Sequence, residues 1–370
     1  MPVESRLAAI RQARGLAAAD LARQAGITRQ TVYAIEAGDF VPNTAVALEL
    51  ARVLEVSVED IFALPSSKEP NSESVSAEIL SATSVGAGKP VRLSLLDGKW
   101  VGVPATPSAY YLPEADGVIT NANRAQCSVQ AFAGNEARGK RLVLAGCDPA
   151  LSLLAHMVER LSGVEVVTAP AASRLALSWL QRGLVNAAGS HLEDPRTGEF
   201  NLPYLREQFP GEDLVVVTFA HWEEGFVVAP GNPLNIRGAA DLARKGIRIA
   251  NREPGSGSRN LLDGLIEKAG VPVSRVTGYR TIAYGHLAAA FAVSSGSANC
   301  CIATPSAARA FGLEFLPVRR ERFDLVLRRA ALGLPAVRAL LDALQRASLR
   351  RKLETLAGYD ASQTGRVVPL

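Results

Sequence analysis

The segment AADLARQAGITRQTVYAIEAGDFVPNTAVALELARVLEVSVEDIF, residues 18–62, decides the fold of the N-terminal part of the chain. Residues 25–28 within it predict a tight turn, because Gly26 can adopt the left-handed conformation without a Cβ clash and Thr28 suits the N-cap of a following helix. Apolar residues before the turn recur at helical spacing. The pattern predicts a small all-α unit at residues 1–65, built around two short helices and a tight turn.

The helix after the turn, residues 28–37, carries the candidate DNA contacts. Its pattern directs Val32 and Ile35 inward and leaves a polar face outward. Two short helices joined by a tight turn, with polar side chains at the start of the second, form the geometry of a helix-turn-helix. Gln30 is the best candidate for a base contact, since a side-chain amide can bond adenine at two positions. The predicted DNA-binding residues are Thr28, Arg29, Gln30, Thr31, Tyr33 and Asn43.

The whole segment resembles the Xre/Cro family of helix-turn-helix regulators. The alanine before the turn, the Gly-Ile turn, the helix ending Ile-Glu-Ala-Gly, the following Pro-Asn-Thr and the closing Val-Glu-Asp-Ile-Phe all stand at family spacing. The resemblance implies a double-stranded operator DNA as partner. A homodimer or higher homo-oligomer is expected, because a module of about 65 residues buries too little interface to reach specific affinity alone.

The charge distribution is consistent with a phosphate-facing module. The chain carries a net charge of only +4, which by itself does not indicate nucleic acid. Residues 1–35 carry a net +3, however, and residues 36–65 a net −5. One side of the small N-terminal unit is therefore expected to be basic, as a surface that displaces counterions from phosphates must be.

Composition limits the remaining classes. A hydrophobic content of 48% excludes a disordered chain, and 370 residues suggest two or three domains at about 150 residues each. The N-terminus is charged from Glu4 onward, and no stretch of 18 apolar residues occurs, so a cytoplasmic protein without a membrane partner is expected. Four cysteines match neither a disulfide framework nor a paired metal motif, which predicts reduced buried thiols, no metal ligands and no cofactor.

Composition changes from one segment of the chain to the next, which predicts a multidomain protein. Residues 66–86 begin with a polar, Pro- and Ser-rich stretch and are expected to form a linker. Residues 87–140 contain short apolar runs between turn-forming clusters and predict a β-rich connector. Strands and helices alternate over residues 141–370, which predicts an α/β domain with largely parallel sheets. Ligands bind such sheets at the carboxyl ends of the strands.

The sharpest local feature of the C-terminal region is IRIANREPGSGSRNLLDGLIEKAG, residues 247–270. A strand runs into a Gly/Ser loop and then a helix, where free N–H groups and the helix dipole favour an anion. The spacing does not match a nucleotide-binding P-loop. Histidines follow a strand or open a helix elsewhere and could converge on the same cleft; either could equally make a structural hydrogen bond, and Asp148 could simply be an N-cap. The candidate ligand residues are Asp148, Ser190, His191, Asn251, Arg252, Ser256, Gly257, Ser258, Arg259, Tyr284 and His286.

Residues 141–370 resemble the cytoplasmic relatives of type-2 periplasmic substrate-binding proteins, and within them the molybdate-binding-protein-like domain found fused to helix-turn-helix modules. The motifs that carry the resemblance occur in order: GCDPALSLLAHMVERL, GSHLEDPRTGEFNLP, VVAPGNPLNI, ANREPGSGSRNLLD, GYRTIAYGHLAAAFAVSSG, FGLEFLPV, ERFDLVL and AGYDASQTGRVV. The resemblance implies two α/β lobes hinged around a cleft that binds a small anionic effector, with molybdate, tungstate or a small organic acid as candidates.

Three functions are compatible with these observations. The leading hypothesis is a ligand-responsive one-component transcription regulator without catalytic residues. The second is a cytoplasmic solute-binding protein, although service to a transporter would require export. The third is an enzyme with Cys147 or Cys300 as nucleophile and His191 or His286 as base. No sequence motif ties these four residues together.

Overall fold

The computed structural model describes residues 3–63, 73–106, 112–123, 126–132 and 139–370. The chain divides into two compact units, Met1–Asn71 and Ser72–Leu370. The first unit is helical, and the second contains a β-barrel and a large α/β domain. The predicted multidomain fold class is thus confirmed. Among the helices of the described ranges, none is long and apolar enough to cross a membrane.

The N-terminal unit is a five-helix bundle closed by a short strand pair. Leu7, Leu21, Val32, Ile35 and Leu50 are completely buried in its core, as the helical spacing of apolar residues requires. The helices are α1 (Leu7–Ala13), α2 (Ala18–Gln24), α3 (Arg29–Ala37), α4 (Thr44–Leu54) and α5 (Val58–Ile61), and the strands are β1 (Glu4–Ser5) and β2 (Phe62–Ala63).

A closed five-stranded barrel follows in the second unit, with strand order β3-β5-β4-β6-β7. Its strands are β3 (Glu73–Ile79), β4 (Pro90–Leu96), β5 (Lys99–Pro104), β6 (Gly117–Asn121) and β7 (Cys127–Ala131). β3 corrects the expectation that residues 66–86 are linker throughout. Val75, Ala77 and Ile79 alternate into the barrel core, but the serines and glutamates between them gave this strand a linker-like composition. Residues 66–72 of the predicted linker lie outside the described residues.

The large α/β domain is built on one nine-stranded sheet of order β13-β12-β14-β11-β15-β10-β8-β9, with β16 paired to β11. Its strands are β8 (Leu142–Gly146), β9 (Val166–Pro170), β10 (Ala187–Ser190), β11 (Leu214–Val228), β12 (Ile249–Arg252), β13 (Ile282–Ala283), β14 (Cys300–Ala303), β15 (Glu314–Arg328) and β16 (Val367–Val368).

Helices cover both faces of this sheet. They are α6 (Leu151–Ser162), α7 (Ser173–Gln181), α8 (Leu202–Gln208), α9 (Gly257–Lys268), α10 (His286–Ser294), α11 (Pro305–Ala310), α12 (Pro335–Leu344) and α13 (Ala347–Lys352). The first lobe contains β8–β10 with α6–α8, α12 and α13, and the second lobe contains β12–β14 with α9–α11. Each lobe has its own buried apolar clusters, and the barrel packs onto the first lobe through Leu96, Val101 and Val103.

Two long strands connect the lobes. β11 and β15 pair antiparallel from Leu214 opposite Arg328 to Val228 opposite Glu314. The pairing shifts register between Thr218 and Ala220 and again between Glu224 and Gly225. Strands β8–β10 of the first lobe and β12–β14 of the second pair in parallel, as expected. The long strands β11 and β15 make the centre of the sheet antiparallel. The composition of β11 and β15 is that of ordinary buried strands. Their exceptional length, which composition does not reveal, allows them to span both lobes.

Candidate functional site

The N-terminal candidate site is the outer face of α3. Val32 and Ile35 are fully buried beneath it, and Arg29, Gln30 and Tyr33 on the opposite side of the helix are exposed. Arg29 Nη2 donates a hydrogen bond to Tyr33 Oη at 2.8 Å, and the guanidinium lies 5.2 Å from the centre of the tyrosine ring. Gln30 is exposed, and its amide has no hydrogen-bond partner among the described residues. This face presents donors and acceptors of the kind that read base edges.

Two of the predicted DNA-binding residues are helix caps. Thr28 Oγ1 accepts a hydrogen bond from the Thr31 backbone N–H at 3.1 Å, and Asn43 Oδ1 accepts one from the Val46 N–H at 3.0 Å. Thr31 shares a further hydrogen bond with the Thr28 hydroxyl. The Thr28 and Asn43 side chains therefore fix where α3 and α4 begin. Arg29, Gln30 and Tyr33 cap no helix and form the rest of the candidate surface.

The C-terminal candidate site lies between the two lobes of the α/β domain. A cavity of about 350 Å³ opens there, with walls from the first lobe at residues 144–152 and from the second lobe at residues 284–288. Asp148, Tyr284 and His286 of the predicted ligand residues line this cavity, together with Cys147 and Glu253. The lining includes the first turn of α6 and the first turn of α10, which approach the cavity from opposite lobes.

Several other predicted ligand residues serve the fold. Ser190 Oγ donates to Asn201 Oδ1 at 2.8 Å, and Asn251 Nδ2 donates to the Tyr279 backbone oxygen at 2.9 Å. Ser256 caps α9, so its oxygen is engaged by the helix backbone. Arg259 pairs with Asp263 and lies over the Tyr279 ring. These residues hold the loops that reach the cleft, and none of the four side chains lines the cavity.

A buried polar cluster lies beside the cavity, and we call it the cleft cluster. Its residues are Cys147, His191, Glu224, Arg252, Ser258, His286 and Glu321. Cys147 and His191 come from the first lobe, Arg252, Ser258 and His286 come from the second lobe, and the two glutamates come from the connecting strands. All but Cys147 are essentially inaccessible to solvent.

The first-lobe half of the cleft cluster is a row of three groups. Cys147 Sγ lies 3.4 Å from His191 Nε2, and His191 Nδ1 lies 2.6 Å from Glu321 Oε2. Arg319 pairs with the same glutamate through its other oxygen. The carboxylate therefore fixes the orientation of the imidazole and directs Nε2 at the thiol.

The second-lobe half is less completely hydrogen-bonded. Arg252 Nε donates to Glu253 Oε2 at 2.8 Å, and the Ser258 hydroxyl donates to Glu224. His286 is 1% exposed, yet neither ring nitrogen has a hydrogen-bond partner among the described residues. Glu224 Oε2 is likewise buried without a partner there. Buried polar groups are normally paired, so the two His286 nitrogens and Glu224 Oε2 are exceptions.

Burial and pairing spread the pKa values of the cleft. Burial, reinforced by the nearby charge of Glu321, raises the pKa of Glu224 to about 8. Burial by itself would raise the pKa of Glu321 as well. The hydrogen bond to His191 and the positive charges of His191 and Arg319 outweigh burial and lower this pKa to about 2. Burial raises the pKa of Asp148, on the cavity wall, to about 7. The surroundings therefore favour the neutral form of Glu224 and the ionised form of Glu321.

The two lobes approach each other closely at Gly257. A Cβ atom at this position would lie 2.5 Å from His191 Cε1 and 2.6 Å from His191 Nδ1, inside van der Waals contact. Gly257 begins α9 in the second lobe, and His191 belongs to the first. Because glycine has no side chain, Gly257 permits this close approach of α9 to His191.

Sequence reasoning missed Glu224, Glu321 and Trp222, which the connecting strands bring into the cleft. Trp222 packs edge-on against His191 with ring centres 5.4 Å apart. The available signal was the pair of glutamates at 223–224 within an otherwise apolar strand. Cys300 and Cys301 instead belong to the apolar clusters on opposite faces of β14, and burial raises the pKa of Cys300 to about 12. Neither of these two thiols lines the cavity.

Comparison with known families identifies both parts of the chain. A family model described as a PBP superfamily domain matches residues 154–345, just over half of the chain. A model described as helix-turn-helix matches residues 7–61. The second match coincides with the N-terminal unit, and the first with most of the two-lobed domain.

Individual relatives show the same division. The uncharacterised protein YvgK of Bacillus subtilis (strain 168) is 33% identical over 228 residues, which cover 61% of this chain and 73% of the relative. The HTH-type transcriptional regulator YgzD of the same organism, itself uncharacterised, is 45% identical over 42 residues, which cover 11% of this chain and 64% of that protein.

Among solved structures, the sulfate-binding protein SubI of Mycobacterium tuberculosis H37Rv aligns with a TM-score of 0.42 at 20% identity, over 59% of this chain and 85% of SubI. The family assignment comes from the sequence matches, which confirm both resemblances deduced from the motifs. The chain belongs to the PBP superfamily-domain family and carries an Xre-type helix-turn-helix DNA-binding domain at its N-terminus.

Proposed function

We propose that this chain is a ligand-responsive, one-component transcription regulator that acts in the cytoplasm as a homodimer or higher homo-oligomer. The observation that carries the proposal is the presence, in one chain, of an exposed α3 recognition face and a two-lobed domain with a cavity of about 350 Å³ between its lobes. The first feature addresses operator DNA, and the second addresses a small molecule.

The ligand in this proposal is a small anion, either an oxyanion such as molybdate or tungstate or a small organic acid. The first turns of α6 and α10 contribute to opposite walls of the cavity. Helix N-termini carry unpaired N–H groups and a partial positive charge, so two of them facing one cavity favour a negative ligand. The Ser256 and Arg259 side chains, expected to add donors, are engaged within the second lobe, and the proposed site therefore centres on residues 147–152 and 284–288.

The connecting strands β11 and β15 allow ligand binding between the lobes to be transmitted to the DNA-binding helices. A ligand that contacts both lobes binds the closed arrangement more tightly and so shifts the population toward it. In a dimer, closure would change how the two recognition helices fit half-sites one helical turn apart. Coupling of about 1–3 kcal/mol, typical of such switches, corresponds to a change of about 5- to 150-fold in operator affinity.

The test begins with selection of tightly bound sequences from a pool of random double-stranded DNA by the full chain. Operator affinity is then measured with molybdate, tungstate, sulfate or small organic acids, each alone. We expect one anion to change the affinity at least about fivefold and Tyr284→Ala to reduce that response. Failure to select any specific sequence would refute the regulator, whereas selection without an anion response would refute the anionic ligand only.

The Cys147–His191–Glu321 row favours a second candidate function, a thiol-dependent enzyme. Cys147 would be the nucleophile, His191 the base and Glu321 the carboxylate that orients the base. The thiol lies 3.4 Å from His191 Nε2, and Glu321 Oε2 lies 2.6 Å from His191 Nδ1. This candidate predicts hydrolysis of activated esters that disappears in Cys147→Ser and persists in Cys127→Ser, whose thiol lies in the barrel. Equal rates in both variants would exclude it.

A further inference from the structure

We propose that Cys147, His191 and His286 bind a divalent transition-metal ion of zinc-like softness at the wall of the interlobe cavity. The proposal rests on the proposed function, because it assigns a second component of the effector site in the same cleft. Sequence spacing indicated no metal site, since the three residues are separated by 44 and 95 positions and share no motif. Only the folded domain brings their donor atoms together.

The distances suit a tetrahedral ion. One donor atom from each residue lies within 4.8 Å of the other two. With metal–ligand bonds of about 2.0–2.3 Å, neighbouring donors of a tetrahedral site lie roughly 3.3–3.8 Å apart. Cys147 Sγ and His191 Nε2 already meet this spacing at 3.4 Å. Each remaining donor distance needs to shorten by at most about 1–1.5 Å to complete a three-ligand site with one open position.

The orientation of His191 is that of a supported metal ligand. Its Nδ1 is held by Glu321 at 2.6 Å, and Arg319 holds the same carboxylate from the other side. Ligating histidines commonly bond a carboxylate through the nitrogen that does not bind metal, which fixes the ring and strengthens the ligand. Nε2 of His191 is the nitrogen left facing Cys147.

His286 supplies an independent observation that points to a ligand. It is 1% exposed, and neither ring nitrogen is hydrogen-bonded within the described part of the chain. Its nearest acidic neighbour is Glu224, whose Oε1 lies 3.8 Å from Nδ1. Leaving a buried polar group unpaired is unfavourable, and a metal ion bound by one ring nitrogen would give that nitrogen a partner.

The set also explains how an ion would enter and what it would do. Cys147 and His286 both line the cavity, so the site is reached from the cleft. Cys147 and His191 belong to the first lobe and His286 to the second, so the ion would bridge the lobes and stabilise their closure. A thiolate with two imidazoles selects borderline ions over Mg²⁺ and Ca²⁺, and the open position could bind an anionic effector.

His191, Glu224 and Glu321 form an alternative set of donors within the same distance limit. Most of their atoms are already engaged, because Glu321 is hydrogen-bonded to His191 and Arg319, and Glu224 Oε1 accepts from Ser258, which leaves only Glu224 Oε2 without a partner among the described residues. The set with Cys147 is therefore favoured, and a hard-ion preference in the experiment below would indicate the other.

The experiment titrates the metal-free full chain with Zn²⁺, Co²⁺ and Mg²⁺. We expect one Co²⁺ per chain with the thiolate-to-metal charge-transfer absorption of a Cys ligand, competition by Zn²⁺ and no effect of Mg²⁺. Cys147→Ser should abolish this absorption, and Glu321→Gln should weaken Zn²⁺ binding roughly 10- to 100-fold. His286→Gln should weaken it more than Glu321→Gln. Cys127→Ser and the exposed-histidine variant His156→Gln are the matched controls and should bind normally.

Absence of the charge-transfer absorption in the wild-type chain, or its persistence in Cys147→Ser, would overturn the metal site. So would a preference for Mg²⁺. Thermal denaturation checks that each variant is folded, and if Cys147→Ser is not, saturable and chelator-reversible Co²⁺ absorption in wild type decides the question. Operator binding is measured separately: metal binding without any selected DNA would refute the proposed function alone, and an anion response in metal-free protein would refute the metal's part in it.

Discussion

The recognition face of α3 and the cleft cluster are both polar sites, but the chain builds them in opposite ways. The first uses neighbouring residues on one helix, with Val32 and Ile35 buried beneath exposed side chains. The second gathers residues from positions 147 to 321, nearly all of them inaccessible to solvent. Arg29 and Gln30 in the first site can be removed without leaving a buried group unpaired, whereas most side chains in the second are hydrogen-bonded to a buried neighbour. Binding and stability should therefore separate on α3 and not in the cleft.

The largest expected effect tests the independence of the recognition face. The double variant Arg29→Ala/Gln30→Ala should lose on the order of 100-fold or more in affinity for the selected operator, since each base contact contributes about 1–3 kcal/mol. Its stability should change by no more than about 0.5 kcal/mol, because both side chains are exposed. Arg52→Ala, which removes a charge from the exposed face of α4, is the control. Equal operator affinity in the double variant and the control would show that α3 does not read bases.

The next effect tests whether the cleft cluster also holds the fold together. Arg252→Ala should lower the free energy of unfolding by about 3–5 kcal/mol, because it leaves Glu253 largely buried without its partner. Tryptophan fluorescence during denaturant unfolding measures this directly, since Trp100, Trp179 and Trp222 all lie in the second unit.

The control for Arg252 is Arg206→Ala, whose ion pair with Glu199 is largely exposed and should contribute at most about 1 kcal/mol. If both arginine variants unfold with the same free energy, the buried pair is not stabilised as described, and the contrast between the two sites is weaker than the structure indicates.

A third prediction concerns closure of the lobes. Gly257→Ala places a methyl group against His191 and should disfavour the closed arrangement by about 1–3 kcal/mol. Cys147, which is half-buried in the cleft, should then be alkylated roughly 5- to 150-fold faster by a neutral thiol reagent.

Gly264→Ala is the matched control for Gly257→Ala. Gly264 lies on the same helix, and a Cβ there meets no atom within 4 Å among the described residues, so the variant should keep the wild-type alkylation rate. It should also gain about 0.5–1 kcal/mol of helix stability. Equal alkylation of both glycine variants would mean that the lobes are not held closed at Gly257.

The smallest effect separates capping from DNA contact at Asn43. Asn43→Ala removes the acceptor for the Val46 N–H and should cost about 1 kcal/mol, seen as faster hydrogen exchange of that amide. Asn43→Asp keeps the acceptor and should preserve the protection, but its negative charge should weaken operator binding. If Asn43→Asp leaves DNA affinity unchanged, the residue acts as a cap only.

The sequence was most informative where its signals are local. The turn at Gly26, the N-cap at Thr28 and the apolar spacing of α3 predict the helix-turn-helix, because each depends on residues within one or two turns of the chain. The same is true of the strand–loop–helix at residues 247–270, where β12 and α9 lie as the pattern predicts. Its side chains were harder to assign, because whether Ser256 or Arg259 faces a ligand or another part of the lobe depends on packing and not on spacing.

Sequence by itself therefore determined the class of this protein, namely a helix-turn-helix unit followed by a two-lobed α/β domain. Only the tertiary structure decided which residues form the cleft. Glu224 and Glu321 enter it because β11 and β15 each run through both lobes, and Cys147, His191 and His286 meet because those strands hold two separate lobes face to face. Contacts between residues so distant in sequence are fixed by the folding of the whole domain, and no local pattern of residues encodes them.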